Sequence, residues 1–205
     1  MRASLKGKGR QLTRDDWIGA AIGQMMLTSV EQTRVETLAK DLGVSKGSFY
    51  WHFKTRDELL ACVLERWKQS STLDVQSELD SVPDPVSRLL LYMLVPLSSR
   101  RARKSAELEH VIIGWARHSV IARRVLVDVE RSRVLHLAGI FVEIGFKQPQ
   151  AHASAHAAYA FLTYVCRRRD VSVDSRRRMS TFVRDLLVNG ARPKRRPRSA
   201  TSAPK

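Results

Sequence analysis

The chain has 205 residues, 43% of them hydrophobic, and a formal net charge of +16. Its longest apolar run, 89–97, is broken by Pro96 and is too short to span a bilayer, and its start lacks the apolar stretch of a secretory leader. The charge is concentrated at the ends, with five basic and no acidic residues in 1–14 and six basic and no acidic residues in 191–205, which suits a polyanion such as DNA, RNA or anionic lipid.

Residues 1–12 read as a flexible basic arm. Thr13 predicts an N-cap with Asp16 at the third helical position, opening a helix to about Leu27. Thr33, with Glu36 three residues on, predicts a capping box. Val35, Leu38, Ala39 and Leu42 follow at the spacing of one apolar helix face. Gly43 can take a left-handed conformation and ends that helix. Ser45 caps a short helix over the stretch VSKGSFYWHF. Thr55, with Glu58, caps the next, which carries Leu59, Leu60, Val63, Leu64 and Trp67 and is expected to run to Leu79.

Val82-Pro83-Asp84-Pro85 is the strongest internal breaker. A helix starts at Pro85 and is ended or kinked at Pro96. Residues 100–104 read as a charged loop. Helices are expected over 106–117, over about 121–144 with Gly145 as its stop, and over 149–168. A last helix is capped by Asp174 and ended by Gly190. Residues 191–205, rich in Pro, Arg, Ser and Ala, read as a disordered basic tail. Cys62 and Cys166 lie in apolar helical patterns and read as buried thiols of a cytoplasmic protein. The fold class is therefore all-α: an N-terminal helix-turn-helix domain over 13–55, then a helical domain over 56–190.

The helix-turn-helix reading rests on 33–53. Phe49 and Phe53, four apart, anchor one face of the second helix. Lys46 and Tyr50 fall on another face, as do Ser48 and His52. That is the polar surface a recognition helix offers a major groove, and Gly47 lets the backbone lie close to DNA. Tyr50 and His52 can donate to phosphates, and Thr33 and Arg34 are placed to hold the DNA backbone on the other side. Trp51 reads as packing rather than contact.

The segment TRVETLAKDLGVSKGSFYWHFKTRDELL, 33–60, closely resembles the DNA-binding segment of TetR-family (tetracycline-repressor-like) transcriptional regulators. Leu38-Ala39, Gly43-Val44-Ser45, Tyr50-Trp51-His52-Phe53 and Leu59-Leu60 carry the resemblance. It implies a homodimer whose two recognition helices enter successive major grooves of a palindromic operator in double-stranded DNA. It places Ser45, Lys46, Gly47, Ser48, Tyr50 and His52 on the recognition helix and Lys54 at a phosphate-contacting position. It also implies dimerisation through the last two helices, about 149–190, and a cavity for a small-molecule effector in the second domain. Departures are Ser29-Val30-Glu31-Gln32, where the family often has glycine and an aromatic, and Glu36, where some members contact a base.

Trp67, Tyr92, Met93, Trp115 and Phe141 are candidates to line the effector cavity. His152 and His156 share a helix face but lack further ligands nearby in sequence, so no metal site and no cofactor is expected. No Ser/His/Asp or Cys/His constellation and no phosphate-binding glycine loop is present, which argues against an enzyme. The competing reading is a nonspecific nucleic-acid-binding or architectural protein working through its basic tails. The regulator reading, with repressor as the family expectation, is preferred.

Overall fold

The computed structural model describes residues 12–98, 100–168 and 171–190. The arm expected at 1–12, apart from Leu12, and the tail expected at 191–205 lie outside them. Among the described residues there are ten helices and no strand. In chain order these are α1 (Arg14–Leu27), α2 (Val35–Asp41), α3 (Lys46–Tyr50), α4 (Arg56–Ser71), α5 (Leu73–Asp80), α6 (Pro85–Ser98), α7 (Arg100–Ala116), α8 (Val120–Ile144), α9 (Gln148–Arg167) and α10 (Val173–Gly190). The described chain is therefore all-α, as the apolar spacing predicts.

The chain divides into two compact units. The first takes the described residues up to Ser81 together with Ser98–Arg133. The second takes Val82–Leu97 and the described residues from Val134 onward, so α8 contributes to both.

In the first unit α1 packs on α2, α4 and α7. Trp17, Ala21 and Met25 of α1 are fully buried, with Leu38, Phe49, Phe53, Leu59 and Val63 in the same core. A neighbouring cluster joins Leu64 and Trp67 of α4 to Leu108 and Ile112 of α7 and to Ala122 and Val129 of α8. Each large side chain taken out of water in this way contributes about 1.5–3 kcal/mol.

Helix ends follow local chemistry. Thr13 is the N-cap of α1 as expected, and with Asp16 it forms a capping box, each side chain bonded to the other's backbone N–H. The Thr55 hydroxyl accepts from the Glu58 N–H at 3.1 Å. Gly43 sits at φ +68° and Gly145 at φ +108°. At Gly145 the Phe146 N–H reaches the Phe141 carbonyl at 3.0 Å and the Gly145 N–H the Val142 carbonyl at 2.9 Å. The Phe141 and Phe146 rings, 5.1 Å apart, supply the apolar contact that accompanies such a stop.

Several expectations are corrected. The capping box at Thr33 is absent: Arg34 is the N-cap of α2 and makes no side-chain cap bond, while the Thr33 hydroxyl donates to the Ser29 carbonyl at 2.9 Å. The helix begun at Arg56 stops at Ser71, because Thr72 departs from helical geometry at φ −125°, ψ −79°. The 100–104 loop is the first turn of α7, and Pro96 lies inside α6, two residues before its end. Ser172, not Asp174, caps α10, its hydroxyl accepting from the Ser175 N–H at 3.2 Å. Neither cysteine is in a disulfide, and both are only half-buried rather than buried.

In the second unit, α9 packs on α10. Ala151, Ala155, Ala158, Leu162 and Val165 of α9 are buried. The buried Ser180 hydroxyl of α10 donates to the Met93 carbonyl of α6 at 3.5 Å. Arg88, nearly buried, donates to the Val82 carbonyl at 3.0 Å and to both Glu143 carboxylate oxygens at 3.0 Å. One guanidinium so ties the proline turn to the end of α8.

Candidate nucleic-acid interface

A five-residue helix such as α3 has no stability of its own. Its shape is set from outside. After α2, the Val44 N–H reaches back to the Ala39 carbonyl at 2.9 Å and Gly43 N–H to the Lys40 carbonyl at 3.1 Å, a turn that requires the left-handed glycine. Phe49 and Phe53 then fix α3 to the core, fully buried and stacked at 5.4 Å, with the Trp17 ring edge-on to Phe49 at 5.3 Å.

The opposite face is open. Ser45, Lys46, Gly47, Tyr50 and Trp51 are exposed, as are Arg34 and Lys54. Ser48 and His52 are half-buried. Thr33 is fully buried, so it offers no surface to a ligand and serves the turn instead. A Cβ on Gly47 would meet only the Ser45 hydroxyl at 3.6 Å, an ordinary contact, so folding does not demand glycine there.

Trp51 corrects the sequence reading. It is 88% exposed at the C-terminal end of α3. Phe49 and Phe53 already fill the inward positions, so the indole is left outward beside Tyr50, itself 56% exposed. Two large rings in water next to a lysine form an amphipathic surface suited to sugar and phosphate.

Three charged residues hold this surface, of which the sequence spacing singles out only Glu58, beside the Thr55 cap. Arg56 of α4 donates to the Thr33 carbonyl at 2.6 Å and to the Val30 carbonyl, pinning the turn before α2. Arg14 of α1 lies over the Phe53 ring at 4.2 Å and donates to the His52 carbonyl and to Glu58 at 3.0 Å. Glu58 in turn accepts from the Lys54 N–H at 2.8 Å. That backbone bond, then the Arg14 guanidinium, hold the Glu58 carboxyl below its usual value. A depressed carboxyl stabilises the fold above its ordinary pKa of about 4.3 and loses that contribution as pH falls through its folded value. Glu58→Gln is therefore expected to lower the melting temperature near neutral pH. It should also make the loss of stability below about pH 4.5 shallower than in the parent, by melts between about pH 2 and 7. Identical acid limbs would refute the assignment.

Of the effector candidates, Trp67 and Trp115 lie in the first unit, and Tyr92, Met93 and Phe141 in the second. Trp67, Met93 and Phe141 are fully buried. Tyr92 stacks on His136 at 5.8 Å. A cleft of about 460 Å³ opens in the first unit, lined by Val30, Arg56, Leu60, Leu64, Trp115 and Ile121 among others. Trp115 is the one effector candidate that reaches it. Among the described residues no three His, Cys, Asp or Glu side chains come together as a metal site, and no helix is long and apolar enough to cross a membrane.

A short helix anchored inward by two phenylalanines, presented outward by polar side chains and preceded by a glycine turn, has the arrangement of the second helix of a helix-turn-helix. Residues 18–63 match the model of the bacterial regulatory proteins of the tetR family. No curated protein sequence is significantly similar to the chain. Solved structures are. A transcriptional regulator from Rhodococcus sp. Rha1 is 20% identical with a TM-score of 0.75, over 88% of this chain and 98% of that one. FadR of Bacillus subtilis, solved with stearoyl-CoA, is 16% identical with a TM-score of 0.63, over 87% and 99%. A Saccharomonospora viridis protein solved with choline is 18% identical with a TM-score of 0.69, over 84% and 94%. Residues 18–63 thus match the tetR family, and the chain shares the fold of these solved transcriptional regulators.

Proposed function

We propose that the protein is a dimeric, sequence-reading repressor in the cytoplasm that leaves a palindromic operator when a small molecule binds. The observation that carries DNA reading is the outward face of α3, with Lys46, Tyr50 and Trp51 exposed on a helix whose other face is locked into the core. Lys46 and Ser48 are assigned to base edges, and Arg34, Ser45, Tyr50, His52 and Lys54 to phosphates. Gly47 permits close backbone approach.

Dimerisation through about 149–190 is supported by surfaces on α9 and α10. Ala153, Ala157, Ala160 and Tyr164 of α9 are exposed at one-turn spacing, and Phe182 and Leu186 of α10 are 68% and 59% exposed. Small side chains allow a partner helix to approach closely, and the exposed rings would be covered by it.

An effector is supported by relatives of this fold solved with stearoyl-CoA and with choline. It is also supported by Trp67 Nε1 and Ser71 Oγ, one turn apart on α4, which are buried without hydrogen-bond partners. A ligand oxygen would satisfy such a pair. An effector that favours a dimer with its recognition helices wrongly spaced would release the operator.

The deciding experiment is site selection from a random DNA pool at near-physiological salt, with the parent protein beside a Lys46→Ala, Tyr50→Ala variant. The expected result is a palindromic motif recovered by the parent and lost by the variant. Equal, motif-free binding by both would instead assign DNA binding to the basic tails.

A further inference from the structure

Glu36 is an acidic residue on the DNA-facing side of a strongly basic chain. It lies at the second position of α2, and its carboxylate is paired with the Lys46 ammonium at the first position of α3. The two side chains are 61% and 52% exposed, so the pair stands on the surface beside Tyr50 rather than within the core. Nothing in the fold requires it: the α2–α3 turn is already held by Gly43 and α3 by its two phenylalanines.

We propose that Glu36 is a positioning residue that turns Lys46 from a phosphate contact into a base contact, and so restrains the affinity of the protein for nonspecific DNA. The proposal rests on the regulator reading above. Lys46 has a flexible four-carbon stem and three N–H donors. Left alone, such a side chain follows the nearest phosphate, and phosphate contacts supply most of nonspecific binding. Glu36 takes one donor and fixes the stem. Its negative charge repels any phosphate that comes close to Lys46. The two remaining donors can still reach acceptors such as guanine O6 and N7, which are neutral. The carboxylate therefore penalises phosphate contact more than base contact. The side chains agree with a charged pair in the free protein: the hydrogen bond with Lys46 chiefly lowers the Glu36 carboxyl from its usual value, and Glu36 raises the lysine.

The test is fluorescence anisotropy at several salt concentrations. It compares the parent, Glu36→Gln, Lys46→Gln and the double variant on a random-sequence 24-base-pair duplex and on a duplex from site selection. Both positions are exposed, so all four proteins should fold, and a melt checks this. Glu36→Gln is expected to tighten binding to the random duplex about fivefold and to steepen its log–log salt dependence by about one. It should tighten the selected duplex less than twofold, so the specificity ratio falls. In the Lys46→Gln background the same change should move random-duplex binding less than twofold. Random-duplex binding unchanged by Glu36→Gln would overturn the proposal. Equal tightening with and without Lys46 would also overturn it, since the carboxylate would then act only as bulk charge. If the parent selects no site, the regulator reading fails, and the random-duplex arm still decides whether Glu36 restrains Lys46.

Discussion

Replacing Phe49 with alanine is expected to cost about 3–5 kcal/mol and to abolish site-specific DNA binding, although the ring never faces DNA. Phe49 is fully buried, edge-on to Trp17, edge-on to Tyr50 and stacked on Phe53, each at 5.3–5.4 Å. The loss has two parts. Transfer of the ring accounts for about 2–3 kcal/mol, and the void between α1 and α3 adds the rest. The functional loss follows from length. Five residues do not hold a helix by themselves, and Ser45 contributes no side-chain cap bond, so α3 exists because Phe49 and Phe53 hold it. Urea unfolding and anisotropy on the selected duplex would measure both effects. Phe49→Leu should recover part of each. A Phe49→Ala protein with parental DNA affinity would show that α3 is held by something other than these rings.

Other contacts of α3 were partly legible in the sequence, and the boundary between legible and hidden has a physical cause. Phe49, Phe53, Gly43, Thr13 and Thr55 act over one helical turn, so spacing alone finds them. Thr33 misled for the same reason: its local pattern is that of a capping box, but the preceding turn offers the Ser29 carbonyl first. Trp51 misled because helical periodicity stops meaning anything past the C-cap, where the chain turns and the indole is left in solvent. The clamps that fix the surface join residues far apart in sequence, Arg56 to Val30 and Thr33, Arg14 to His52 and Glu58, Lys46 to Glu36. No period encodes them. The interruption at Thr72 is likewise silent, since its hydroxyl bonds the Lys68 carbonyl at 2.7 Å much as a threonine inside a helix can.

The second large effect is expected at Glu109. In the first unit its carboxylate takes both terminal nitrogens of Arg133 at 2.9 Å, while Arg133 Nε donates to the Ser71 carbonyl at 3.1 Å. The two side chains are only 18% and 16% exposed, so this ion pair joins the end of α4, α7 and α8 away from solvent. Glu109→Ala should cost about 3–5 kcal/mol, because it leaves a largely desolvated guanidinium without its carboxylate. Glu109→Met with Arg133→Met should cost far less, since removing both charges removes the desolvation penalty with the attraction. An exposed pair gives the contrast. Lys68 and Asp128 lie 3.5 Å apart with side chains 39% and 48% exposed, and Lys68→Ala should stay within about 0.5 kcal/mol. Salt separates the cases further. At about 1 M the screening length falls to about 3 Å, which erases the Lys68 contribution and leaves most of the Glu109 deficit, because counterions do not enter a desolvated site. Urea melts of the four proteins at low and high salt would read this directly. A Glu109→Ala deficit that vanished in high salt would mean the pair is solvated and that apolar packing, not the pair, joins α7 to α8.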